Sequence, residues 1–182
     1  IYPEARKFYP IDDLMLCAEV DAKNDFITFS IAGPFFNWFV VSGYFPKAWK
    51  LKIEKEAHIY NLFSVLMSKM WLSRLVNGSR MEPFLLGKEP FLPDFQLFYT
   101  LELSQMFSEL FEIPEMHLFR DDPALQTFYD AMCERPSTQK ILAAKELELD
   151  VTKKELYGGF GAAYLDKHID RRILGGLFGR EI

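Results

Sequence analysis

Apolar residues recur at helical spacing through most of the chain. After an entry segment with two prolines, "IYPEARKFYP", Asp12 and Asp13 stand where a helix start favours acids. Leu14, Cys17 and Ala18 then begin a helix expected over about 12–41. A bend is expected near Gly33-Pro34, because proline removes a backbone donor and crowds the turn before it. A second helix is expected over about 47–75, with Ile59, Leu62, Phe63, Leu66, Met67 and Met70 as its core-facing stripe. Asn77-Gly78-Ser79 stops it. From Asp94, residues Phe95, Phe98, Tyr99 and Glu102 predict a third helix to about Met106, and Phe107–Ile113 either continue it or form a separate turn. Asp121-Asp122-Pro123 opens a fourth, whose apolar face is Leu125, Phe128, Tyr129, Met132 and Cys133. "ERPS" ends it, and Ser137 is expected to cap a short helix through about Leu149. No strand alternation and no internal repeat interrupts this pattern, so the fold class is all-α, a helical bundle.

The final stretch differs. Six of the ten glycines fall there, at Gly158, Gly159, Gly161, Gly175, Gly176 and Gly179. The chain therefore divides into an entry segment (1–11), a helical domain (12–149) and a Gly-rich C-terminal extension (150–182). Tyr157, Phe160, Tyr164, Leu174 and Phe178 offer that extension apolar anchors for docking on a partner.

The connection "MEPFLLGKEPFLPDFQLFY" (81–99) is apolar for a loop. Phe84, Leu85 and Phe91 leave water only if the loop folds inward over the bundle. Gly87 permits the reversal, and Asp94 stands where the helix after it begins.

Composition narrows the function classes. Apolar residues make up 49% of 182, which is enough for a sizeable core. The net charge is −5, and the densest basic group, Lys47, Lys50, Lys52 and Lys55, is broken by acids, so nucleic acid is not an expected partner. Phe26–Val41, the longest apolar region, is too short and too interrupted for a membrane span. Cys17 and Cys133 form no metal or redox motif and favour a reducing compartment. His58, His117 and His168 have no metal-ligand spacing, so no metal is expected. "YGGFGAAY" (157–164) has neither a preceding strand nor a following Lys-Ser/Thr, so it is not read as a phosphate cradle.

Three stretches in order resemble the all-helical C-terminal domain of glutathione S-transferases, over roughly residues 8–148. They are the "FYP" entry with acids at the helix start, "PFLLGKEPFLPDFQL" (83–97), and "DDPALQTFYDAMCERPSTQKIL" (121–142). The resemblance implies that Gly87 and Asp94 are fold determinants, Asp94 reaching back to the loop. The family's Ser or Thr three residues before that acid is replaced by Phe91, so the reciprocal cap is missing.

The resemblance also implies that thiolate activation and most glutathione contacts belong to a thioredoxin-like half that this sequence does not contain. Phe35, Phe36, Trp38 and Phe39 would line the pocket for an apolar co-substrate, although core packing accounts for the same residues. Phe29 stands near the place where some members put an acid toward glutathione. The expected function is a non-catalytic interaction or structural subunit without a cofactor, meeting a protein partner or a second copy of itself. The alternative is the co-substrate half of a transferase, with glutathione as its co-substrate. The expected location is cytoplasmic, or an organelle interior if a presequence was removed before Ile1.

Overall fold

The structure, a computed structural model, describes residues 6–39, 55–111 and 114–143. The extension with Tyr157, Phe160, Tyr164, Leu174 and Phe178 lies outside the described residues. So does the segment in which the second helix was expected to start at Lys47.

Helix α1 spans Leu14–Phe26. The Asp13 carboxylate accepts from the amides of Met15 and Leu16, both at 3.1 Å, which satisfies two of the donors that a helix start leaves free. The chain continues as a π-helical segment, Ile27–Ala32, and then as α2, Gly33–Phe39. The irregularity thus precedes Gly33-Pro34, where the bend was expected. Pro34 has no N–H to return to the preceding turn, and the Gly33 amide donates to the Thr28 carbonyl five residues back. A Cβ on Gly33 would sit 3.1 Å from that oxygen, a tight contact that glycine avoids.

Helix α3 spans Lys55–Asn77. Of the expected stripe, the side chains of Ile59, Leu62 and Phe63 lie outside the described residues and Met67 is half-buried, but the last part of the helix departs from it. Leu66 and Met70 are 55% and 40% exposed, whereas Ser64, Val65, Ser68, Leu72 and Leu75 are buried. Ser68 explains the rotation: its hydroxyl donates to the Ile31 carbonyl at 3.0 Å. A small side chain with a backbone partner can be buried at little cost, and a hydropathy pattern reads it as outward-facing. The helix stops where Asn77-Gly78-Ser79 predicts. Gly78 N donates to Arg74 O, Ser79 N to Val76 O, and Ser79 Oγ to Leu75 O, at 2.9, 3.2 and 2.5 Å.

Helix α4, Leu92–Phe111, begins two residues before Asp94 and runs unbroken to its end. It packs against α1, the π-helical segment and a 3-10 turn at Pro114–Met116. Helix α5, Pro123–Cys133, is capped by Asp122, whose carboxylate accepts from the amides of Ala124 and Leu125 at 3.0 and 3.1 Å. It buries Leu125, Phe128 and Met132, as its sequence predicts. A further helix begins at Pro136, so Ser137 lies inside its first turn and is not its cap. Among the described residues the architecture is all-α, with only one isolated bridge, Phe84 to Gly87.

The chain divides into two compact units, Ile1–Pro34 with Leu66–Met132, and Phe35–Val65 with Cys133–Ile182. The sites described next belong to the first unit except where stated.

Candidate functional site

The apolar connection that ends at Asp94 is built around that residue's carboxylate. Asp94 has no exposed surface. Its Oδ1 accepts from Leu85 N and its Oδ2 from Phe91 N, both at 2.8 Å. Because α4 starts at Leu92, Phe91 occupies the cap position and Asp94 the third helical position. The Phe91 bond is therefore the returning half of a capping box, made without its reciprocal partner. The Leu85 bond reaches across the loop instead. Phe84 and Gly87 exchange backbone bonds of 3.0 and 3.2 Å, and Gly87 takes φ +125°. Leu85 has no exposed surface, and Phe84 meets Phe128 edge-on at 6.4 Å. Burial pushes the Asp94 carboxyl up from 3.8 to about 6, against the backbone amides of Leu85, Phe91 and Asp94 itself and the charge of Lys23, which pull it down.

The entry segment is tied to the same place. Leu92 N donates to Phe8 O at 2.9 Å, and the Phe8 and Phe95 rings meet edge-on at 5.0 Å. Tyr9 Oη donates to Asp21 at 2.8 Å, and that bond raises the phenol to about 12. Cys17 Sγ donates to Pro10 O at 3.0 Å. The thiol thus serves to hold the entry segment against α1.

Two polar groups had no site role expected from sequence. Glu102 is buried on α4 and accepts a short hydrogen bond from Tyr129 Oη on α5. The Tyr129 ring stacks on Phe98 at 5.2 Å and lies 4.8 Å from Phe119. The available signal was an acid four residues after Phe98, on an apolar helix face. Ser104 is the second. It donates to Leu101 O at 2.7 Å and accepts from Leu118 N at 3.3 Å, joining α4 to the turn after it.

A cleft of about 260 Å³ opens between α1 and the end of α3, lined by Ala22, Lys23, Phe26, Arg74, Leu75 and Gly78. Lys23 Nζ donates to Ser79 Oγ at 2.9 Å. Burial lowers its ammonium below the usual lysine range, while Glu19 and Asp94 pull it back up. The Arg74 guanidinium lies 4.5 Å above the Trp71 ring, which meets Phe26 edge-on at 5.6 Å.

Of the sequence-expected wall, Phe35 belongs to the second unit and has no exposed surface. Phe36 is half-buried and meets Phe35 at 6.2 Å. The side chains of Trp38 and Phe39 lie outside the described residues. Phe29 is 74% exposed. His117 stands 4.3 Å from Phe119, and burial lowers its imidazole below the usual range. Among the described residues no His, Cys, Asp and Glu cluster suits a metal, and no helix is long and apolar enough to cross a membrane. No protein-family model matches the chain, and no curated protein does.

Proposed function

We propose that the chain is a non-catalytic helical domain of the glutathione S-transferase C-terminal type, serving as an interaction or structural subunit of a larger assembly. The observation that carries this reading is the large apolar side chains left in water. Phe29 is 74% exposed, Leu66 55% and Met70 40%. Leu66 and Met70 are four residues apart and share one face of α3. Exposed large apolar groups set beside one another are what a partner's surface buries. The Asp94 clip supports the family part of the reading, because an acid that returns to its loop is what the resemblance implies.

A transferase half would need an aromatic wall open to its co-substrate. The Phe35 ring is wholly enclosed, which weighs against that alternative.

A photo-cross-linking residue at Phe29 or Leu66, in the full-length gene product, tests the reading. One defined protein, or a second copy of the chain, should be captured at these positions and not from exposed Lys140. Deleting 150–182 should remove partner binding while the helical circular-dichroism signal stays. Conjugation of a chromogenic electrophile to glutathione by the full-length product would overturn the proposal.

A further inference from the structure

We infer that the cleft between α1 and the end of α3 is a binding site for a small organic carboxylate carrying an apolar body. It lies within one compact unit and is independent of the interaction surface proposed above.

Two cations line the cleft, Lys23 from α1 and Arg74 from α3. Neither forms an ion pair with a carboxylate among the described residues. The Lys23 ammonium is partly withdrawn from water, and its hydrogen-bond partner is the neutral Ser79 hydroxyl. Glu19 and Asp94 act on it through space without reaching it. A buried or half-buried charge is ordinarily paired, and this one has room for a pair to be supplied from outside.

Arg74 is held ready. Its guanidinium rests on Trp71, which itself packs against Phe26, so the planar fork is oriented before any anion arrives. The same lining includes Ala22, Phe26 and Leu75, an apolar bed for a ring or short chain.

The end of a helix is a poor place for an anion when its last carbonyls are bare. Here Gly78 N, Ser79 Oγ and Ser79 N already occupy the carbonyls of Arg74, Leu75 and Val76. Three of the last four carbonyls of α3 are thus covered, and the only charged side chains that line the cleft are the two cations. Its volume of about 260 Å³ is below the range for drug-sized ligands, which selects a small one.

The probe is 4-phenylbutyrate, with acetate and 4-phenylbutylamine as comparison compounds. Binding is followed by calorimetry and by the amide shifts of Ala22, Lys23 and Gly78. The carboxylate should saturate with a dissociation constant of about 0.1–1 mM, in line with the efficiency of a small ligand. Acetate should bind at least roughly tenfold more weakly for want of the apolar contact, and the amine should not bind. Arg74→Gln and Lys23→Gln should each weaken binding roughly tenfold, while Arg74→Lys keeps the charge and recovers part of it. Thermal melts of each variant separate loss of binding from loss of fold. Equal binding of the amine, undiminished binding by a folded Arg74→Gln protein, or shifts confined to other residues would each overturn the assignment. So would the absence of saturation by 4-phenylbutyrate.

Discussion

Asp94 and the Lys23–Arg74 cleft lie in the same compact unit and handle charge in opposite ways. Asp94 is an anion with no surface, and two backbone amides of the chain meet it. Lys23 and Arg74 are cations facing an open cleft, met by a hydroxyl and an indole ring and by no carboxylate among the described residues. A carboxyl whose hydrogen-bond partners are all built in works for the fold as an acceptor, even though burial disfavours its charge. A charge whose partners are neutral leaves an interaction to be completed by something else. The two are also linked, because the charge of Lys23 helps hold the Asp94 carboxyl down.

The largest test of this contrast removes the buried anion. Asp94→Ala strands the amides of Leu85 and Phe91 and should cost about 4 kcal/mol, measured by urea unfolding. Arg74→Ala should cost well under 1 kcal/mol by the same measurement, since it strands no buried group. Equal losses would erase the distinction.

The next test is pH. The folded Asp94 carboxyl sits near 6, above the ordinary 3.8, so the folded state binds this proton more tightly than the unfolded one. Its stabilising contribution is full below 3.8 and is lost as pH rises through about 6. Stability should therefore fall by roughly 2 kcal/mol from this group between pH 4 and 7. In Asp94→Asn that window should flatten. A slope that survives the substitution would place the titration elsewhere.

Gly87→Ala should cost about 2 kcal/mol by thermal melt. No atom lies where its Cβ would go, so the cost is the backbone conformation at φ +125° alone. Tyr129→Phe takes one donor from Glu102 and should cost about 1 kcal/mol while keeping the ring packing on Phe98. Smallest is Ser79→Ala, at about 0.5 kcal/mol. It removes both the acceptor of Lys23 and the hydroxyl that covers the Leu75 carbonyl.

Much of the loop could be read from the chain. Phe84, Leu85 and Phe91 demand cover, Gly87 allows the reversal, and Asp94 stands at a helix start. The reach of Asp94 to Leu85 N, nine residues away, could not be read, because it depends on how the loop closes. The cleft was invisible for the same reason. Lys23 and Arg74 are fifty-one positions apart and each reads as an ordinary helix-end cation.

The stripe on α3 shows where pattern reading fails. Leu66 and Met70 were assigned inward and face water, while Ser64 and Ser68 were passed over and are buried. Hydropathy ranks side chains by transfer from water and takes no account of a hydroxyl that finds a carbonyl, as Ser68 finds Ile31.

Local chemistry in the sequence therefore determined the helical class, the caps at Asp13 and Asp122, the stop at Gly78-Ser79 and the apolar face of α5. These depend on interactions within a few residues, which the order of side chains specifies directly. Only the tertiary structure decided which face of α3 is buried, how Asp94 and Glu102 are partnered, and that Lys23 and Arg74 share one cleft. Each of these joins residues far apart in the chain, and packing alone sets the distance between them.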